Sequence, residues 1–111
     1  QSLVLMNDPV FVEAARAFAQ RVLTEAGIDS ETRLVFAWRL ALARAPSATE
    51  LAVLRSTLLQ LHATYGQDPE AAGKLIAVGD LPRPAGLDDS ELAAWTALSN
   101  VILNLNETIT N

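Results

Sequence analysis

Apolar residues recur along this chain at three- and four-residue intervals, the spacing that puts them on one face of a helix. The first such stripe is Phe11, Ala14, Ala15, Phe18, Val22 and Leu23, with Glu13, Arg16 and Gln20 outside it. The second is Leu34, Val35, Trp38, Ala41 and Leu42, and the third Leu51, Leu54, Leu58, Leu61 and Tyr65. A fifth segment carries Leu92, Trp95, Leu98, Val101, Ile102 and Leu105. No stretch alternates with a period of two for long enough to build a sheet.

Start and stop signals bound these stripes. Asp8 precedes Pro9, which combines a side-chain acceptor for the first free N–H groups with a residue that loses no hydrogen bond at the first helical position. Helix one is expected over Pro9–Ala26, stopped by Gly27. Asp29 or Ser30 caps helix two, which is expected to reach Arg44, because Pro46 forbids continuation and disfavours helix at Ala45. Ser47-Ala48-Thr49-Glu50 has the pattern of a reciprocal capping box opening helix three, which ends at Gly66. Asp68-Pro69 repeats the first start signal and opens a short helix to Val78, containing Gly73. A loop with Pro82, Pro84 and Gly86 follows. Asp88 then caps helix five, with Glu91 three residues on and Leu87 and Leu92 placed as a hydrophobic staple. That helix is expected to end near Asn106, leaving 107–111 as a polar tail. The fold class is therefore all-α, a single domain spanning 1–111 built as a compact bundle of four to five helices joined by short capped turns.

Composition sharpens this picture. The chain has 111 residues, half of them hydrophobic, with Ala and Leu predominant and only 5% aromatic. Small Ala side chains against Leu let helices approach closely. Cysteine is absent, which excludes disulfides, zinc thiolates, covalent haem attachment and a cysteine nucleophile within the segment. No apolar run is long enough for a membrane span. The chain opens at Gln1 without an initiator Met, which reads as a C-terminal piece of a longer protein with any targeting signal upstream. The apolar residues Leu3, Val4, Leu5 and Met6 form a short helical turn or an extended arm that packs on something.

The net charge is −5, which argues against a nucleic-acid backbone as partner. Residues 31–60 are the basic exception, with Arg33, Arg39, Arg44 and Arg55 against Glu31 and Glu50. They offer a helix-turn-helix-like alternative, although the turn is short and the basic charge thin. His62, the sole histidine, has no carboxylate three or four residues away on its helix and reads as a boundary residue. Asp88, Asp89 and Glu91 lack the ligand spacing of a calcium loop and read as helix capping. Trp38 and Trp95 read as core, with a pocket between helices two and five as the alternative. Asn104, Asn106 and Glu107 form a polar knot that either holds a ligand or bonds the chain near Asn7. Asn106-Glu107-Thr108 matches a glycosylation sequon, which matters only in a eukaryotic secretory context.

Four segments carry a family resemblance. They are residues 1–9 (Gln-Ser-Leu-Val-Leu-Met-Asn-Asp-Pro), 36–47 followed by Glu50, 94–99 and 101–107. Their order and spacing resemble a bacterial C-terminal domain of unknown function, abundant in planctomycetes and related bacteria. Ala45 stands where many members have Gly, and Thr108 and Ile109 where many have an aromatic pair. The resemblance implies a long, exported, multidomain protein, often with a cytochrome-c-like domain upstream carrying Cys-Cys-His haem motifs. It supplies no catalytic residues. The reading is a structural or protein-interaction module with no cofactor or metal in this segment. Its expected partner is a neighbouring domain or another protein, contacted through Leu3, Leu5, Asn7, Asn104, Asn106 and Glu107. The alternatives are a share in a redox or hydrolytic site completed by another domain, and nucleic-acid binding. One consequence is local: Ser47→Ala should cost about 1 kcal/mol in chemical denaturation, through loss of the helix-three cap.

Overall fold

Asp8 opens the first helix as its side chain accepts the Val10 N–H at 2.9 Å, with Pro9 in the first turn. The computed structural model describes residues 8–79, 82 and 86–110, with side chains up to Leu105. Five helices follow in order: α1 (Pro9–Glu25), α2 (Ser30–Leu42), α3 (Ala48–Gln67), α4 (Pro69–Ile76) and α5 (Asp89–Thr110). The protein is all-α, with no strand among the described residues.

The expected caps do form. Asp29 accepts from the Thr32 N–H, Asp68 from the Ala71 N–H, and Asp88 from the Glu91 N–H. Ser47 and Glu50 make the full reciprocal box, at 3.1 and 2.8 Å. Each serves donors that a helix start leaves without partners.

Several ends differ from expectation. The second helix stops at Leu42 rather than Arg44, because Ala43 turns left-handed (φ 60°) and its N–H closes on the Arg39 carbonyl. Gly66 does not end α3, which runs to Gln67. A glycine inside a helix costs only about 1 kcal/mol, whereas Pro69 removes a donor outright and enforces the stop. The fourth helix ends at Ile76, short of Val78. Helix α5 runs to Thr110, because neither Gly nor Pro follows Asn106 to break it.

Helix α5 is the centre, and the other four pack around it. Every residue from 92 to 100 is buried, including Thr96, Ser99 and Asn100. The single stripe read from the sequence is therefore too narrow for this helix: covered from all sides, it buries its whole circumference. Ala93, Ala94, Ala97 and Ser99 keep it slim between the larger Trp95, Leu92 and Leu98.

Bridging contacts set the direction of each neighbour. Arg33 of α2 reaches both the end of α1 and the start of α5, so α1 runs antiparallel to α5 and α2 parallel to it. His62 and Tyr65 near the end of α3 meet Glu91 and Ser90, so α3 is antiparallel.

The buried face of α1 is rotated from its expected stripe. Val12, Ala15, Arg16, Ala19, Val22 and Leu23 are buried, while Phe11 and Ala14 are exposed. This face lies against α5, and one of its side chains also reaches the end of α4. Arg16 is buried and donates to the Ile76 carbonyl at the end of α4. Just beyond, Gly79 (φ 90°) lies so close to Glu13 that a Cβ there would fall 2.6 Å from its Oε2.

The slimness of α5 is open to a direct test. Ala94→Leu introduces three heavy atoms into a filled interior and should cost about 1–3 kcal/mol in urea unfolding. A cost below the usual scatter of surface substitutions would show that α5 is not tightly enclosed.

Candidate functional site

Two features of the described residues stand out, an apolar groove and an ionic cluster. They sit at opposite ends of α5.

The apolar feature is a groove of about 360 Å³ between α2, α3 and α5. Its existence follows from helix lengths. Helix α2 has 13 residues and α5 has 22, so they span roughly 20 and 33 Å at 1.5 Å per residue. Both start near Glu91, and α2 runs out while α5 continues. The wall that α2 gives up is left as Leu98, Val101 and Leu105 of α5, with Trp38 of α2 on one side. Helix α3 supplies the other side through Thr49, Val53, Leu54 and Thr57. Val53 is 55% exposed at the rim.

Charge borders this groove without entering into free play. Arg44 grips Glu50 with two hydrogen bonds of 2.8 Å each, the planar fork that matches a carboxylate. Its guanidinium also lies 5.3 Å from the Trp38 ring centroid, within cation–π range. The Arg44 hydrogen bonds, followed by the Ser47 backbone N–H, hold the Glu50 carboxyl down at about 2. The Trp38 indole N–H is buried and has no acceptor among the described residues.

At the other end, His62 Nε2 donates to Glu91 Oε2 at 3.0 Å, and Arg33 stands 3.9 Å from Glu91 Oε1. His62 is half-buried, as a boundary residue is, and its carboxylate partner comes from α5, 29 residues away in sequence, where local spacing on α3 cannot reveal it. Arg33 also donates to the Gly27 and Leu23 carbonyls at 2.7 and 3.3 Å, capping the negative end of α1. The cluster joins α1, α2, α3 and α5 and has the character of a clasp.

The other singled-out residues are dispersed. Asp88 caps α5, while Glu91 turns away to His62, so this carboxylate group does not converge. No three His, Asp or Glu side chains among the described residues are grouped as a metal ion requires. Trp95 is enclosed in the core, and Trp38 alone of the two tryptophans lines the groove. Arg55 pairs with Glu31 at 2.7 Å, which lowers the Glu31 carboxyl. Arg39 is exposed beside a shallow depression with Val35 and Phe36. Asn104 is half-buried on α5. Leu3, Leu5 and Asn7, and the side chains of Asn106 and Glu107, lie outside the described residues. The sequence offered a pocket between helices two and five only as the alternative to core packing of the tryptophans; the groove lies there, with α3 as a further wall that no motif announced.

The Glu50 bridge makes stability depend on acid. Its folded value of about 2 lies below the ordinary 4.5. The contribution is therefore complete above the ordinary value and disappears as pH falls from 4.5 toward 2. The Glu50 carboxyl resonance should titrate near 2 in the intact chain and move up toward 4.5 in Arg44→Ala. An intact-chain midpoint near 4.5 would count against the bridge.

No helix among the described residues is long and apolar enough to cross a membrane. Neither a curated protein nor a solved structure matches the chain. The profile of a protein family of unknown function, PSD1 (DUF1553), matches residues 1–58, which take in α1, α2 and the first half of α3. With more than half of its length matched, this chain belongs to the PSD1 family of proteins of unknown function (DUF1553).

Proposed function

We propose that this domain is a structural, protein-binding module, and that the groove beside Trp38 is its binding surface. The observation that carries the reading is the groove: about 360 Å³ of apolar space at the unmatched end of α5, with its two charged neighbours, Arg44 and Glu50, bonded to each other. Such a surface favours an uncharged, apolar segment of polypeptide, since apolar area is gained on docking and no charge needs a new partner. The resemblance in the sequence supports placing the module in a larger exported protein of the kind that carries a haem domain upstream. Nucleic-acid binding has less behind it, because Arg44 and Arg55 already pair with Glu50 and Glu31 at the surface and Arg33 donates to the Gly27 carbonyl.

Val53→Asp tests the reading in the intact protein. A bare surface position changes stability by at most about 0.5 kcal/mol. A carboxylate facing a docked apolar segment should cost more than about 1 kcal/mol, a fall of about 4–8 °C in Tm. An unchanged Tm would overturn the binding role of the groove.

A further inference from the structure

We infer that two copies of this chain pair through the outward face of α3, about a two-fold axis beside Ser56. The inference stands apart from the groove, whose α3 wall is centred on Val53, about 120° round the helix from Leu59.

The first support is a second stripe on α3. Leu54 and Leu58 are buried and, with Leu61 and Tyr65, take the side that faces the bundle. Ala52, Ser56, Leu59 and Ala63 repeat the same four-three-four spacing on the opposite side, and all four are exposed. That is the spacing of a seam between two helices. Leu59 is its anchor, 66% exposed. A helix that is apolar on both sides is one that is covered on both.

The second support is charge. From Leu51 to Gln67 the ionisable groups are Arg55, bonded to Glu31 at 2.7 Å, His62, bonded to Glu91 at 3.0 Å, and Tyr65. Other helices do present charge outward, with Arg21 and Glu25 on α1, Arg39 on α2, and Glu70 and Lys74 on α4. Two copies of a chain with a net charge of −5 repel each other. The contact of least cost is therefore the one where neither copy brings a free charge. The same feature leaves little for an unlike protein to recognise, since charge supplies much of that specificity.

The third support is a match in size. A two-fold contact sets a surface against its own rotated copy. Ala52 and Leu59 lie two helical turns apart on one line of α3, with Ser56 between them. An antiparallel pair centred midway between them brings Leu59 of each copy over Ala52 of the other. The largest side chain of the seam then meets the smallest, at both ends at once. With 20 residues in α3, its outward face measures about 30 Å by about 10 Å. Two copies bury roughly 600 Å² in this way, below the ~1,200 Å² at which standard interfaces begin. The pair is therefore weak and reversible.

Sedimentation equilibrium of the full chain reads this directly. The mass should rise from 11.9 kDa toward twice that value as the concentration goes from about 10 µM to about 1 mM. Leu59→Glu sets a carboxylate on the seam, and Ala52→Lys an ammonium group. Both positions are exposed, so helical circular dichroism should be unchanged, and each variant alone should stay at 11.9 kDa. An equimolar mixture of the two should regain the rise in mass, because the new carboxylate of one chain faces the new ammonium of the other.

A mass fixed at 11.9 kDa throughout overturns the inference. A dimer that both variants leave intact places the contact elsewhere and overturns it equally. A mixture that stays monomeric removes the Leu59–Ala52 register, and the proposed pairing with it.

Discussion

Everything in this fold hangs on enclosing one helix. Helix α5 is covered over residues 92–100 on its whole circumference, and a helix so enclosed has no solvent side on which to place bulk or charge. It must be slim enough for four neighbours to approach. Ala93, Ala94, Ala97 and Ser99 meet that demand, while Leu92, Trp95, Leu98 and Ile102 fill the gaps between neighbours. The interior is thus built from small differences in side-chain size around a common axis, and close packing makes it sensitive to a few added atoms.

With the centre settled, the ends of the helices carry the polar chemistry. Asp8, Asp29, Ser47, Asp68 and Asp88 close helix starts, and Arg33 closes the end of α1. The ion pairs Arg44–Glu50 and Arg55–Glu31 hold α2 and its following turn against α3. They are exposed, so their value lies more in setting register than in stability. His62, Glu91 and Arg33 bring four helices together at the start of α5. Ionisable groups that look available in the sequence are, in the fold, engaged in holding helices to one another.

The far end of α5 has no comparable clasp among the described residues. There α2 has already ended, and the surplus length of α5 forms one wall of the groove with Trp38 and α3 opposite.

The local grammar of the chain was legible without coordinates. Capping side chains lie within three residues of the N–H groups they serve, so Asp-Pro at 8–9 and 68–69 and the Ser47–Glu50 box announce their helices directly. Apolar periodicity likewise gave the α3 face, where Leu54 and Leu58 are buried and Leu51, Leu61 and Tyr65 flank them. What tertiary structure alone decided was which helix lies in the middle, because a periodic stripe reports one buried face and cannot report that the others are covered too. It decided that Arg16 is interior, with the Ile76 carbonyl from 60 residues away accepting from it. It decided the His62–Glu91 pair and the groove for the same reason. These depend on distances between helices and on their relative lengths once packed, and neither quantity is carried by the neighbours of a residue in the chain.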